Sequence, residues 1–493
     1  MAGGKQHYYI TKRPRWQYRM WKWLDEVFGQ FRQCFSNKRS FAWFVIIMIG
    51  MITRIGHSAL TDIVRDLCLV PTAYPAILHF FRAESWNTYS LGWAWLMILK
   101  DLPFLYRVDG RPVMVGDGVK QSKESRRMPG VKKLHQESAN SGKGEYIFGH
   151  MFGGLGLLMG CACQKLYCVL ISLKLHDGLD AINGWDKCES YKDFSHVVKM
   201  IKDAAIATET LGPSILLLDR LFLTVPMLKE LAKTPLLQVV TRAKMNATAY
   251  YDPEPKTGRG AKRKKGKKVK VATLFQTHAD AFISATVNLY GKKQKIKYYC
   301  IDLLWGKKLY QKLRFVLVEI DGKQSILVST DLTLAPVVII ELYGRRFKIE
   351  CAFRELKQVI AGLCYHFWSK YMPKLKRYKN NEENQKQLKA VADKTARARI
   401  KSTVDAIEGY VLLGCIALGL LQIISVKFAS MFSSDKVRFM RTRSNTIPSE
   451  ATVADYIRRN IYQLFRFLPD LAITAIIRDR QIEPQDQSEV LLA

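Results

Sequence analysis

Two aspartates in this chain stand directly behind short apolar runs. Asp117 follows Val113-Met114-Val115-Gly116, and Asp219 follows Ile215-Leu216-Leu217-Leu218. Such runs predict strands, and strand ends are where α/β sheets expose functional groups. A carboxylate there costs stability unless it is solvated, paired or bound to a metal. Singly, each reads as an ordinary strand-capping residue; two of them in one strongly basic protein point to metal binding. Hard Mg2+ takes carboxylate oxygens and keeps much of its water shell, so two or three acids suffice. Two such ions about 3.5–4 Å apart can activate an attacking oxygen and stabilise a leaving one in phosphodiester cleavage. The residues alone leave the third acid open among Glu341, Glu350 and Glu355.

The charge balance names the class of partner. The 493 residues carry 77 Lys and Arg against 43 Asp and Glu, a formal net charge of +34. An excess of this size favours polyanions, nucleic acid above all, through phosphate contacts and counterion release. A hydrophobic fraction of 48% and an aromatic fraction of 11% exclude a disordered chain. Ten cysteines lie mostly in apolar surroundings. Cys161 and Cys163 are close, but no second pair completes a zinc spacing, so reduced thiols are expected. The first residues hold no apolar stretch with a cleavage site, and no secretion signal is expected. Gly409–Val426 is 18 residues without a charge, near the lower length for a membrane span. With Gln422 and Ser425 inside it and no companion span, a buried helix is expected.

Residues 1–105 predict a helical N-terminal region, a candidate reader of DNA ends. Strand-like runs then begin: Val113–Gly116, Tyr146–Phe148, Tyr167–Leu173, Ile215–Leu218 and Leu236–Thr241. Between them Phe194, Val197, Val198, Ile201, Ala204 and Ala205 recur at helical spacing. Residues 106–241 thus predict the first part of a mixed α/β core. Residues 242–335 read as a β-rich insertion with a basic arm, Lys256–Lys270, nine of whose fifteen residues are Lys or Arg. Asp321-Gly322 is the turn of one of its hairpins. Residues 336–369 predict a core helix, and 370–493 a basic linker followed by a helical region.

The run Tyr343-Gly-Arg-Arg-Phe-Lys-Ile-Glu-Cys-Ala-Phe-Arg-Glu-Leu-Lys357 resembles the Y-x2-R-x3-E-x6-K signature of DDE transposases of the insertion-sequence-four group. It falls here on Tyr343, Arg346, Glu350 and Lys357. VMVGDGVK around Asp117 and LLLDRLF around Asp219 resemble that group's two aspartate motifs, in the same order. The resemblance spans about residues 110–360, and the insertion lies where the group carries one. It implies an α/β fold with an RNase H-like mixed sheet core and a β-rich insertion, flanked by helical N- and C-terminal regions. It also implies that Asp117, Asp219 and Glu350 are the catalytic and metal-binding acids, and that Tyr343, Arg346 and Lys357 contact DNA. Two Mg2+ ions, replaceable by Mn2+, are the implied cofactors. The implied activity is cleavage of transposon ends and strand transfer into target DNA. Double-stranded DNA is the implied partner, with a homodimer on DNA, no membrane, and a bacterial cytoplasmic, nucleoid-associated location. The alternatives are an RNase H-like DNA nuclease and a catalytically silent DNA-binding derivative of a transposase.

Offsets of three, seven and fourteen from Tyr343 keep all four signature residues on one face of a single helix. Lys120, Lys123, Arg126, Arg127, Lys132 and Lys133 follow the first aspartate and are candidates to line a DNA path. Trp305, within the insertion, is expected as a core residue in preference to a base-stacking one. His135 and His150 are expected to hydrogen-bond, not to ligate.

Overall fold

The computed structural model describes residues 15–57, 59–136, 144–161, 165–187, 191–255, 262–377, 381–432 and 447–482. Cys163, Cys188 and residues 256–261 of the basic arm lie outside these. The chain forms two compact units, one of residues 1–86 with 420–493 and one of residues 87–419.

The first unit is helical. Asn37 caps the helix Lys38–Thr53 by accepting the Ser40 N–H at 2.8 Å. Trp43 through Thr53 are all buried, so this helix is apolar on every side and sits at the centre. Phe35, Phe41, Phe44, Phe80 and Trp86 close around it as an aromatic cluster. Arg458, on the helix Glu450–Phe467, donates to the carbonyls of Thr53 and Arg54 and so satisfies the end of the central helix.

The second unit is built on one large mixed sheet. Its strands are β1 (Arg107–Val108), β2 (Arg111–Ser122), β3 (Lys132–His135), β4 (Tyr146–Cys161), β5 (Lys165–Leu175), β6 (Ser214–Leu217) and β7 (Leu237–Ala243). They continue with β8 (Thr248–Tyr250), β9 (Lys268–Lys270), β10 (Ile283–Leu289), β11 (Lys292–Trp305), β12 (Gln311–Ile320) and β13 (Lys323–Ser329). The main path runs β3-β4-β2-β6-β7-β13-β12-β11-β8-β9. Only β2, β6 and β7 are parallel neighbours; every other pairing is antiparallel. The helices used below are α1 (Thr88–Lys100), α2 (His196–Leu211), α3 (Pro336–Arg345), α4 (Lys348–Gln358) and α5 (Lys394–Lys427).

Three differences from the sequence expectations matter for the site. The region 242–335 does form hairpins, but β13 pairs with β7, so they extend the central sheet. Asp321 and Gly322, with φ of 47° and 74°, make the two-residue turn expected between β12 and β13. Part of the basic arm is regular structure, since Lys268–Lys270 pairs with β8. Third, β2 does not end at Asp117 but runs five residues further, held by β4 from Met114 to Ser122.

β4 was the strand least visible in advance, because glycine is a poor strand former. Gly154 pairs with Asp117, and a Cβ on it would stand 2.7 Å from the Phe353 ring of α4. Gly116 and Gly118 of β2 face the other way, towards Met200 and His196 of α2. The sheet is thus covered by α4 on one face and α2 on the other, with Asp117 on the α4 side. α5 contains a stretch long and apolar enough to cross a membrane, with mean hydropathy 2.1, but 94% of that stretch is buried within the protein. A core helix was expected there, and the burial agrees with it.

The close approach at Gly154 is testable. Gly154→Val should lower the urea midpoint by the equivalent of about 1–3 kcal/mol, the usual cost of overpacking. Combining it with Phe353→Leu should return part of that loss; a midpoint equal to wild type for Gly154→Val alone would contradict the packing described.

Candidate active site

The β2–β6 register pairs Val113 with Ile215 and Val115 with Leu217. Asp117 and Asp219 each lie two residues further on, at the same level of neighbouring strands that run about 4.8 Å apart. β6 stops at Leu217, but Leu218 still donates to Val240 and Asp219 keeps an extended backbone, so the pleat carries through to the second acid. The Thr241 hydroxyl donates to the Asp219 carbonyl at 2.9 Å and fixes that strand end. Asp117 therefore sits where its parallel neighbour ends, although its own strand continues.

Glu350 arrives on α4. The single helix expected over this region is instead two, α3 and α4, separated by Arg346 and Phe347. At the break, the Arg346 N–H bonds to Tyr343 and the Glu350 N–H to Phe347, three-residue closures in place of four-residue ones. Gly344, two residues before the break, weakens the helix by roughly 1 kcal/mol relative to alanine. A Cβ there would meet Leu289 of β10 at 2.6 Å, which is the packing reason for glycine.

The break aims Arg346 at both acids. Its guanidinium donates to Asp117 at 3.0 Å and to Glu350 at 2.5 Å. Burial pushes the Asp117 carboxyl from the ordinary 3.8 up to about 6. Arg346 and the Gly118 N–H oppose that rise, while the charges of Asp219 and Glu350 add to it. Burial would lower the Arg346 pKa, but Asp117 and Glu350 more than offset this and raise it. Burial likewise raises the phenol of Tyr343, which lies within the electrostatic reach of Asp219, Arg346 and Arg242. Lys357 lies further along α4 and donates to the Lys120 carbonyl of β2 at 3.1 Å.

All three acids thus share one electrostatic neighbourhood. As the side chains stand, no group of three Asp, Glu, His or Cys among the described residues is close enough to hold one ion. Arg346 fills that role for Asp117 and Glu350. Asp117 and Glu350 on one guanidinium, with the charge of Asp219 felt at Asp117, are in kind the oxygen donors that a hard divalent ion accepts.

The basic loop after β2 differs from its expected role. Lys123 is buried, donates to the Leu363 and Tyr365 carbonyls at 2.7 and 2.8 Å, and lies 3.6 Å from the centre of the Tyr365 ring. Burial lowers its pKa to about 8. Arg127 donates to the Lys370 and Met372 carbonyls, Lys120 to that of His135, and Lys132 pairs with Asp177. These side chains fasten the loop. His150 hydrogen-bonds as expected, through Nε2 to the Pro129 carbonyl at 2.8 Å and through Nδ1 to the Tyr365 hydroxyl at 2.6 Å. A carbonyl only accepts, so Nε2 carries the proton and Nδ1 accepts from Tyr365. His135 lies 3.7 Å from Glu145. Trp305 is partly buried and lines a groove of about 440 Å³ with Arg220, Lys244, Tyr250 and Lys307, beside the turn after Asp219.

Residues 192–364 match the family of the transposase DDE domain. The matched span is 173 of the 493 residues, and it holds Asp219, Tyr343, Arg346, Glu350 and Lys357. It begins after Asp117, whose place in the site rests on the strand register and the bond to Arg346. No curated protein matches the chain. The domain match supports a DDE transposase.

Asp117 gives a stability test with a defined sign. Its folded pKa is raised, so no penalty exists below about pH 4, and stability is lost as pH rises through about 6. At pH 7.5 a shift of this size amounts to roughly 3 kcal/mol. Asp117→Asn should therefore raise the thermal midpoint in EDTA at pH 7.5, with the gain shrinking by pH 5. A variant less stable than wild type at pH 7.5 would show that the Arg346 bond outweighs burial.

Proposed function

We propose that the second unit is an RNase H-like catalytic core and that the protein is a cut-and-paste DNA transposase. The observation that carries this reading is the bond of Arg346 to both Asp117 and Glu350, with the charge of Asp219 felt at Asp117 and two of the three acids inside the matched domain. Asp117, Asp219 and Glu350 would hold two Mg2+ ions, with Mn2+ able to substitute. When bound, the ions would supply an activated water or 3′-hydroxyl and a stabilised leaving oxygen.

The chain's own residues account for the rest. Asp117 and Asp219, fixed on adjacent strands, set the floor of the site, and Glu350 approaches from α4 as the third wall. Cations held by Asp117 and Glu350 would take these carboxylates over from Arg346. Its planar fork then suits a phosphate, and Tyr343 lies beside it to orient the same group. Lys357 lies three residues beyond Asp117 along β2, about 10 Å, where its ammonium holds the Lys120 carbonyl. Because the acids only hold ions and the nucleophile is water or DNA, no covalent protein–DNA intermediate is needed. Double-stranded DNA is the substrate, and pairing of two ends calls for a homodimer on DNA, in a bacterial cytoplasm at the nucleoid.

The test uses the purified full chain with a DNA carrying both ends of the element, in Mg2+ or in EDTA. Mg2+-dependent cleavage and joining are expected. Asp117→Asn, Asp219→Asn and Glu350→Gln should each abolish both, a loss of at least about a thousandfold, while DNA binding persists. Arg346→Lys should keep metal-dependent thermal stabilisation but cut the rate, since an ammonium cannot make the bidentate contact. Wild-type cleavage by any of the three acid variants removes that residue from the site, and cleavage without joining would make the protein a nuclease only.

A further inference from the structure

Beyond α4 the chain forms an anchored strap whose outer face none of the proposed chemistry uses. Burial alternates along it. Tyr365, Phe367 and Ser369 are buried, while His366, Trp368 and Lys370 are exposed. Met372 and Leu375 are buried further on, leaving Tyr371, Lys374 and Lys376 outside. Trp368 is 54% exposed and Tyr371 39%, with the Lys370 ammonium 5.3 Å from the centre of the Tyr371 ring.

The strap is not a loose loop. Ser369 and Leu375 donate their N–H groups to Arg127 and Arg126 at 3.1 and 3.0 Å, and the Arg127 guanidinium reaches back to the carbonyls of Lys370 and Met372. Leu363 and Tyr365, at its start, are held by Lys123. The anchored side thus consists of backbone and buried apolar groups, and the exposed side of flat rings and ammonium groups.

Charge decides the kind of partner. Residues 366–377 hold four Lys or Arg and no acid; residues 120–133 hold six and one acid, Glu124, which Arg377 engages. Cations interleaved with exposed aromatic rings suit nucleic acid, whose phosphates take the cations and whose sugars and bases take the ring faces.

Position decides where on that partner. α4 runs alongside β2, with Glu350 linked to Asp117 through Arg346 and Lys357 bonded to Lys120. Following β2 onward from Asp117 to Ser122 covers about 17 Å at strand rise. Lys123, the next residue, is pinned to the start of the strap. At about 3.4 Å per base pair, 17 Å is roughly five base pairs of duplex.

We infer that this strap is a second DNA-contact site. It would seat duplex about five base pairs from the phosphate being cut, with Arg126, Lys370, Lys374 and Lys376 on phosphates and Trp368 and Tyr371 against sugar edges. The inference rests on the DNA-cutting reading for its location but not for its binding chemistry.

Two measurements separate these. The first is equilibrium binding of the full chain to a 30-base-pair duplex of arbitrary sequence, in EDTA across a salt series. Replacing Lys370, Lys374 and Lys376 together with alanine should reduce the slope of log K against log salt by about 2.7, close to one unit for each lost phosphate contact. Trp368→Ala with Tyr371→Ala should weaken binding at an unchanged slope. The replaced side chains are exposed, so the thermal midpoint should stay at the wild-type value and exclude unfolding as the cause. An unchanged slope and affinity in both variants would overturn the inference, whatever the protein does to DNA.

The second places the photocrosslinker benzoylphenylalanine at Trp368, with DNA carrying the element's ends. Crosslinks should fall about five base pairs from the cut phosphate. Crosslinks at the cut itself, or none, would overturn the assigned position. A protein that binds with the altered slopes but does not cut would sink the catalytic reading and leave the strap as a DNA-binding surface.

Discussion

The charges of Asp219 and Glu350 bear on the buried Asp117 carboxyl, and the structure around it is arranged to hold that carboxyl in place. The opposing groups are the Arg346 guanidinium and the Gly118 N–H. Arg346 donates to Asp117 and to Glu350, and still the Asp117 carboxyl is pushed up to about 6, because burial and its two acidic neighbours outweigh a single arginine. Such a balance, with Arg346 shared between two acids, marks a candidate functional site. It also explains why the helix breaks at Arg346. A continuous helix would place Arg346 and Glu350 one turn apart on the same face, with less freedom for the guanidinium to reach the sheet as well.

The floor beneath these acids is stiffened from its far side. Asp203 accepts from His176 Nε2 at 2.9 Å, and His176 Nδ1 meets His196 Nδ1 at 2.9 Å. One proton lies between the two Nδ1 atoms and ties the two rings together. Burial lowers the His196 pKa to about 4, so the ring stays neutral at physiological pH. This chain of polar groups lies under Gly118 and Gly153, the two glycines paired across β2 and β4. A fixed network below and the Phe353 ring above leave the Asp117 segment little room to move, as a site that must align reacting groups to within fractions of an ångström requires.

How much of this was legible in the sequence depends on the range of the forces involved. Val113–Val115, Ile215–Leu218 and the Asp321-Gly322 turn are local signals, and each produced the expected element. The α2 helix was likewise visible from its apolar period, and Ser195 caps it by accepting the Val198 N–H. The acids were candidates because of what precedes them. By contrast, the reach of β4 through Gly149, Gly153, Gly154, Gly156 and Gly160 was not legible, since Gly149, Gly153 and Gly154 answer to Gln121, His176 and Phe353, outside their own strand. The break at Arg346 was missed because helical spacing alone says nothing of a partner on β2. Thr241, which fixes the Asp219 carbonyl, has no motif to mark it.

The same reasoning sorts the positive charge. A net +34 favours a polyanion as partner but does not say where it would sit, and residues 120–133 at first look like the natural place because they follow the first aspartate. Most of their cations, however, are committed to carbonyls or carboxylates of the fold itself. A lysine such as Lys123, buried and lowered to about 8, acts as a structural pin, because leaving its two carbonyl acceptors for a phosphate would cost it two charge-assisted bonds and orphan the acceptors. Cations whose ammonium groups project from a rigid, acid-free surface lose little on meeting a phosphate and release counterions in doing so. Fastening the loop with one set of basic residues is what holds the other set, on the strap, out in solvent beside the end of β2.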